Sequence, residues 1–205
     1  YRRIHDAFAE HIKHLRVNYA MKANSSLAVL RVLERLGSNI DAVTWNEVQL
    51  AKLAGFPMSR ISFTGVNVDN ESFEAAAKAE PTLTFDSVSQ MDRVAKIRRT
   101  LDIAIRVNPE VGVKAEVRAS YRNGKFGVPF NGGTIDSAAK MVKHLMGSDL
   151  LKFEGFHFHL GSQITDFSCY THALDKMDAF MTKMKKENAS FQVSTFDIGG
   201  GTPVF

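Results

Sequence analysis

Two patterns of hydrophobic and polar positions alternate along the chain. Short apolar runs rich in β-branched and aromatic residues are followed by longer stretches whose apolar residues stand three and four positions apart. The first pattern predicts strands, the second predicts amphipathic helices, and their alternation predicts βαβ units with a parallel sheet. The strands are expected at 15–21, 39–43, 60–64, 82–85, 101–107, 152–158 and 194–198. The helices are expected at 3–13, 26–36, 46–54, 70–79, 88–99, 134–145 and 170–187.

Residues with special terminal preferences support several of these helix boundaries. A Ser, Thr or Asp side chain can accept a hydrogen bond from the first turn of a helix, and glycine often follows the last turn. The expected helix starts are Ser25 or Ser26, Thr44, Asp69 and Ser87. Gly37 and Gly55 are expected just after the ends of two helices.

The order of these elements predicts an α/β fold of the TIM-type (β/α)8 barrel class, in an incomplete form. About seven βα units are present, whereas a barrel closes with eight strands and typically needs about 250 residues. No linker or composition change divides the 205 residues, so residues 1–205 are expected to form one domain. The sequence stops at Phe205, just after the seventh predicted strand, and the expectation is a domain truncated before strand eight. The longest irregular stretch, 109–133, is expected to be a functional or mobile loop.

Composition and charge exclude several classes of partner. The chain is 44% hydrophobic and 23% charged, which is ordinary for a globular protein, and its formal charge is only +4. Because its basic residues are scattered, no nucleic-acid partner is expected. No apolar run approaches the roughly 18 residues of a membrane helix, so no membrane partner is expected either. Cys169 is the single cysteine, which fits a reducing, cytoplasmic location.

Polar residues gather where the predicted strands end, which is the edge that carries the active site in β/α barrels. They are an amine (Lys22), a carboxylate (Asp41), a guanidinium (Arg106), an imidazole (His159) and three consecutive glycines (199–201). Any one of them has an ordinary structural explanation, such as a lysine extending to solvent or a glycine turn. Five at matching strand ends are hard to explain by core packing. No metal site is expected.

Together these groups suggest a particular chemistry. A lysine amine can form a Schiff base with an aldehyde. Glycines that follow a strand allow backbone N–H groups to approach a phosphate. His159 could stack on a flat aromatic cofactor, whereas His157, two residues earlier, is more simply a structural histidine lower in the barrel.

The ordered motifs of the chain resemble the alanine-racemase-like, fold-type III pyridoxal-phosphate enzymes, and are most similar to their amino-acid decarboxylases for diaminopimelate, ornithine and arginine. The resemblance covers nearly the whole chain. The motifs are Tyr19-Ala-Met-Lys22-Ala-Asn24, Ile40-Asp41 with Glu47 downstream, Phe63-Thr64-Gly65, Arg106-Val-Asn-Pro109, Lys125-Phe-Gly127, Gly155-Phe-His-Phe-His159-Leu-Gly-Ser-Gln163 and Phe196-Asp-Ile-Gly-Gly-Gly201.

This resemblance implies that pyridoxal 5′-phosphate is the cofactor and that it acts as an electron sink during decarboxylation. Lys22 would form the Schiff base and His159 would stack on the pyridine ring, and these two are the implied catalytic residues. The implied cofactor-binding residues are Lys22, Asp41, Arg106, His159, Ser162, Gly199, Gly200 and Gly201. Of these, Ser162 and the three glycines would hold the phosphate, with Asp41 and Arg106 nearby. Lys125 would lie near a homodimer interface or the mouth of the site.

The resemblance implies a basic or diamino amino acid as substrate. The run Gly161–Asp166 is most like diaminopimelate decarboxylases, whereas Ala119–Gly124 departs from them. The family's eighth strand and C-terminal β-domain, which supply a carboxylate, a cysteine and a tyrosine, are absent from the sequence, so the chain alone is expected to be inactive. Two alternatives stay open: a non-catalytic, cofactor-binding or regulatory pseudo-decarboxylase, and an amino-acid racemase of the same fold.

Overall fold

A computed structural model describes residues 1–66, 68–113, 117–119, 124–131 and 136–203. These residues group into two compact units, Tyr1–Thr84 and Phe85–Phe205. Both units are built of parallel strands that alternate with helices, as the sequence pattern predicts.

The first unit carries parallel strands in the order β1-β2-β3-β4. The strands are β1 (Asn18–Ala20), β2 (Asn39–Ala42), β3 (Ile61–Phe63) and β4 (Thr82–Phe85), the last of which reaches the boundary with the second unit. The helices are α1 (Arg2–Ala9), α2 (Leu27–Arg35), α3 (Trp45–Ala54) and α4 (Asn70–Ala79), with single 3-10 turns at Met21–Ala23 and Met58–Arg60.

The second unit contains three parallel strands in the order β5-β7-β9 and a separate antiparallel pair. The parallel strands are β5 (Leu101–Arg106), β7 (Leu151–His157) and β9 (Thr195–Asp197). The pair consists of β6 (Val117–Arg118) and β8 (Gly161–Ser162). The helices are α5 (Val88–Ala95), α6 (Ala138–Met146) and α7 (Ser168–Glu187).

Side-chain caps fix several helix starts, as predicted. Thr44 and Glu47 form a capping box at α3, in which each side chain hydrogen-bonds to the other residue's backbone N–H. Asp69 and Ser87 accept hydrogen bonds from the third residues of α4 and α5. Ser26 precedes α2 without a side-chain cap bond. These contacts satisfy backbone donors that have no partner inside a helix.

Each unit has its own apolar core between strands and helices. In the first unit the strand residues Ile40 and Phe63 are fully buried, together with the helix residue Phe73. In the second unit the same is true of the strand residues Ile103 and Phe156. Consecutive residues are buried in a strand such as β5, as expected of parallel sheets in which both faces are covered.

A β-bulge interrupts the pairing of β5 with β7. Ile103 is paired with Phe153 and Ala104 with Gly155, so Glu154 is one extra residue in β7. The Glu154 carboxylate accepts a 2.8 Å hydrogen bond from the Thr195 hydroxyl. A side chain at Gly155 would overlap the Thr195 carbonyl oxygen, 1.8 Å from the Cβ position, and therefore glycine is needed there for β7 and β9 to pair.

Some expected boundaries are wrong. Helix α1 ends at Ala9 rather than at residue 13, and α5 ends at Ala95 rather than at residue 99, since Arg98 has a positive φ of 54°. Helix α6 begins at Ala138, and residues 134–135 of its predicted range lie outside the described residues. The expected loop 109–133 contains β6, while 114–116, 120–123 and 132–133 are outside the described part. Among the described residues, none of the helices has the length and apolarity needed to cross a membrane.

Candidate functional site

The sequence predicted Lys22 at the end of the first strand. In the structure it lies just beyond that strand, β1. The strand ends at Ala20, and Lys22 is the middle residue of the 3-10 turn Met21–Ala23. Met21 is 1% exposed and anchors this turn, whereas Lys22 is exposed. The Tyr19 hydroxyl donates a 3.1 Å hydrogen bond to the carbonyl oxygen of Asn24. The lysine is thus held on a fixed segment with its amine open to solvent.

Asp41 lies on β2, the strand next to β1, in register with Ala20. Its carboxylate accepts a 3.0 Å hydrogen bond from the hydroxyl of Thr64, a buried residue that directly follows β3. The carboxylate is partly exposed. Hence the ends of three adjacent strands of the first unit carry a lysine, a carboxylate and a hydroxyl.

The two histidines of β7 and the loop after it differ in burial. His157 is the last residue of the strand and is 9% exposed, whereas His159 lies two residues beyond and is partly exposed. His157 is thus the more buried of the two side chains.

The glycine run after β9 is shaped by the chain segment that follows β7. Gly199 has a φ of 70°, and a side chain on it would lie 2.4 Å from the Phe158 carbonyl oxygen. Gly201 has a φ of 116°, and a side chain there would lie 2.0 Å from the Gly161 carbonyl oxygen. A side chain at Gly200 would have no atom within 4 Å of its Cβ position. Two of the three glycines are thus required by backbone packing, and the middle one faces open space.

Some backbone N–H and C=O groups of this glycine run hydrogen-bond to protein atoms, and others are available to a ligand. The Gly199 N–H donates to the Asp197 carboxylate at 2.7 Å, and the Gly201 carbonyl accepts from the Ile164 N–H at 2.8 Å. Within the described residues, the N–H groups of Gly200 and Gly201 donate to no protein acceptor. These two N–H groups can therefore serve an anion.

Ser162 lies beside this run in the short strand β8, which pairs with β6 through Ser162 and Val117. Its side chain is partly exposed, and its hydroxyl contacts no polar partner in the described part of the chain. The next residue, Gln163, has a positive φ of 57°, a conformation that costs a non-glycine residue about 1 kcal/mol or more. This turn brings the Ile164 N–H to Gly201.

Arg106 ends β5 and belongs to a second charged group of the same unit. Its guanidinium carbon lies 4.8 Å from the centre of the Phe126 ring, and the Lys125 amine lies 5.0 Å from the same ring. Burial raises the pKa of the nearby Asp86 carboxyl, while the Arg106 charge and a hydrogen bond from the Gly127 backbone act in the opposite direction. The Arg106 guanidinium therefore packs on the Phe126 ring, and its charge acts on the Asp86 carboxyl.

The sequence analysis did not identify two residues of this region, Asp86 and Tyr170. Asp86 directly follows β4, and its position as a polar residue at a strand end was a signal that could have identified it. Tyr170 lies in the first turn of α7, and its hydroxyl donates a 2.7 Å hydrogen bond to the Gly200 carbonyl. No local pattern predicts this contact, because the two residues are 30 positions apart.

Comparisons with known proteins assign this arrangement to a family. The sequence model for the family described as "Pyridoxal-dependent decarboxylase, pyridoxal binding domain" matches residues 1–204. The chain belongs to this family. The predicted relationship to decarboxylases and the predicted pyridoxal cofactor are confirmed at the level of the family.

Individual relatives agree with this assignment. The diaminopimelate decarboxylase of Methanothermobacter thermautotrophicus is 35% identical over 206 residues, which cover 98% of this chain and 46% of that protein. The solved structure of Helicobacter pylori diaminopimelate decarboxylase complexed with L-lysine has a TM-score of 0.83 and 30% identity, and the match covers 92% of this chain and 48% of that one. Lysine decarboxylase from Selenomonas ruminantium has a TM-score of 0.79 and 27% identity, with coverage of 99% and 50%.

The structural similarity confirms the predicted fold class, the incomplete β/α barrel of the pyridoxal-phosphate decarboxylases. The chain spans less than half of the length of the curated relatives that it matches, 43% and 46% in two of them.

Proposed function

We propose that the protein removes carbon dioxide from a basic or diamino amino acid, with diaminopimelate as the best-supported substrate and pyridoxal 5′-phosphate as cofactor. The observation that carries this proposal is the match of residues 1–204 to the pyridoxal-binding domain of pyridoxal-dependent decarboxylases. Diaminopimelate decarboxylases at 30–35% identity add the substrate class. We also propose that residues 1–205 act as one cofactor-binding domain, since the match spans both compact units.

The residues that we assign to the phosphate lie on two neighbouring loops of the second unit. They are Ser162, Gly199, Gly200 and Gly201. The Ser162 hydroxyl and the N–H groups of Gly200 and Gly201 provide donors without protein acceptors among the described residues. Gly199 contributes through its backbone conformation, because its own N–H is bonded to Asp197. Backbone N–H groups and a hydroxyl that have no protein partner suit a phosphate group.

The remaining assignments concern the aromatic ring and the aldehyde of the cofactor. We assign Lys22 to covalent attachment, because its amine is exposed on an anchored turn. We assign His159 to stacking on the ring, and Asp41 and Arg106 to holding charges near the cofactor. When bound, the cofactor supplies the electron-withdrawing ring on which decarboxylation depends. These assignments are supported by the family match, which includes all of these residues.

The substrate assignment follows from the relatives. The Helicobacter pylori and Methanocaldococcus jannaschii enzymes were solved with L-lysine, which is an amino acid with a second amine. Because a lysine decarboxylase is also a structural neighbour, lysine is the competing substrate. We further propose that the protein acts in the cytoplasm and as a homodimer, with Lys125 near the interface or the mouth of the site. Its proposed partners are small amino acids rather than nucleic acids or membranes.

The test uses the protein at its full natural length. Carbon dioxide release is measured with pyridoxal phosphate and each of diaminopimelate, lysine, ornithine and arginine. We expect diaminopimelate to give the highest kcat/KM and the Lys22→Ala variant to lose at least a thousandfold in kcat, a loss typical of an essential covalent group. A cofactor-loaded protein that releases no carbon dioxide would favour the non-catalytic alternative, and one that only inverts the substrate would favour a racemase.

A further inference from the structure

We propose that Tyr170 is a positioning residue for the phosphate of the cofactor, because its hydroxyl fixes the direction of the Gly201 N–H. The inference rests on the function proposed above. Tyr170 would not touch the cofactor, and it would act through the peptide bond between Gly200 and Gly201.

The contact itself is short and direct. The Tyr170 hydroxyl lies 2.7 Å from the Gly200 carbonyl oxygen, the optimal distance for an O–H donor to a carbonyl. The tyrosine ring packs against Phe158 and Phe167, with ring centres 6.5 Å and 6.2 Å apart. These ring contacts hold the hydroxyl in place without help from the glycine run.

Because the peptide bond is planar, the contact with the Gly200 carbonyl fixes the direction of the Gly201 N–H. In a planar trans peptide the carbonyl and the following N–H point in opposite directions, and the chain contains no cis peptide bond in its described part. Because the Gly200 carbonyl points to Tyr170, the Gly201 N–H must point away from Tyr170. Among the described residues no protein acceptor receives that N–H.

The need for such a contact follows from the sequence of the run. Three successive glycines have more backbone freedom than any other tripeptide, so their N–H groups do not acquire a fixed direction from local sterics. The outer two are held by other bonds: Gly199 donates to Asp197, and the Gly201 carbonyl accepts from Ile164. The peptide between Gly200 and Gly201 is held by Tyr170. Donors that are fixed before an anion arrives bind it more tightly, because no ordering entropy is lost on binding.

The experiment compares pyridoxal phosphate with pyridoxal, which has the same ring and aldehyde but no phosphate. The full-length protein is prepared as wild type, as Tyr170→Phe, and as the control Tyr1→Phe, which removes a tyrosine hydroxyl at the start of α1. Each apoprotein is titrated with both compounds by absorbance, and its thermal unfolding is recorded without ligand. Phe keeps the ring packing of Tyr170, so the variant isolates the hydroxyl.

We expect Tyr170→Phe to bind pyridoxal phosphate about threefold to tenfold more weakly, the usual effect of one hydrogen bond, and to bind pyridoxal as the wild type does. Tyr1→Phe should match the wild type with both compounds. An equal loss for both compounds, or no loss for either, would overturn the role of Tyr170 and leave the proposed function intact. A wild-type protein that binds pyridoxal phosphate no better than pyridoxal would overturn the phosphate site itself, and this inference with it.

Discussion

A methyl group on Gly201 would lie 2.0 Å from the carbonyl oxygen of Gly161, closer than any two such atoms can approach. The glycine run and the loop after β7 are in backbone contact there, so the residue is fixed by sterics as well as by its φ of 116°.

Alanine substitutions along the run should therefore separate packing from ligand binding. Gly199→Ala and Gly201→Ala should each lower the free energy of unfolding by about 1–3 kcal/mol. Each alanine would clash with a backbone oxygen and would have to adopt a positive φ. Gly200→Ala should change stability by less than about 1 kcal/mol, because its side chain would meet open space. Urea unfolding of the apoproteins measures all three. A Gly200→Ala variant as unstable as the other two would contradict the difference in packing.

Lys22 should be the lysine that captures the cofactor. After addition of pyridoxal phosphate and reduction with borohydride, peptide mapping should find the stable label on the peptide that contains Lys22, because only this lysine stands on the turn that follows β1. Lys22→Ala should carry no stoichiometric label, whereas Lys52→Ala, a change in the last turn of α3, should be labelled as the wild type is. Stoichiometric label on any other lysine would disprove the assignment.

The two histidines should respond differently to substitution. His159→Ala should weaken cofactor binding about tenfold or less, the magnitude of one aromatic stacking contact, and leave the thermal midpoint of the apoprotein nearly unchanged because the side chain is partly exposed. His157→Ala should lower the thermal midpoint instead, since His157 is 9% exposed. A stronger loss of affinity for His157→Ala than for His159→Ala would show that the ligand reaches the other imidazole.

Tyr170 should also make stability depend on pH in the alkaline range. Burial raises the pKa of Tyr170 to about 12, above the roughly 10 of tyrosine in an unfolded chain. The folded state therefore holds the phenol proton more tightly, and the resulting stability is fully present below about pH 10 and lost as pH rises toward 12. The difference in unfolding free energy between wild type and Tyr170→Phe should be constant up to about pH 9 and fall above pH 10. A difference that stays constant to pH 12 would contradict this burial.

The sequence predicted the order of strands and helices well, because apolar residues recur with a period of two in strands and of about 3.6 in helices. All seven parallel strands are present, and the boundaries of β2 and β4 agree with expectation to within one residue. Capping residues such as Thr44 mark helix starts because their hydrogen bonds are local. The apolar spacing predicts too long a helix α1, because Ile12 continues that spacing although the helix ends at Ala9.

The remaining features depend on contacts between distant residues. Strands β6 and β8 have two residues each, too short for any alternation to be visible, and their paired residues Val117 and Ser162 are 45 positions apart. The contact of Tyr170 with Gly200 depends on the way α7 packs on the loop after β9. The sequence placed a glycine run at the strand end but could not show that one of its N–H groups is taken by Asp197.

The extra residue at Glu154 has a consequence for sequence variation in this protein. A bulge absorbs one residue without changing the pairs that follow it, since Ala104 pairs with Gly155 and Arg106 with His157 on its far side. Loss of Glu154 would therefore restore even pairing and leave His157 opposite Arg106, at the cost of the hydrogen bond to Thr195. A residue gained or lost between Gly155 and His157 would instead shift the pairing by one step and turn His157 toward the other face of the strand. Chain length should therefore vary more readily at the bulge than in the three residues after it.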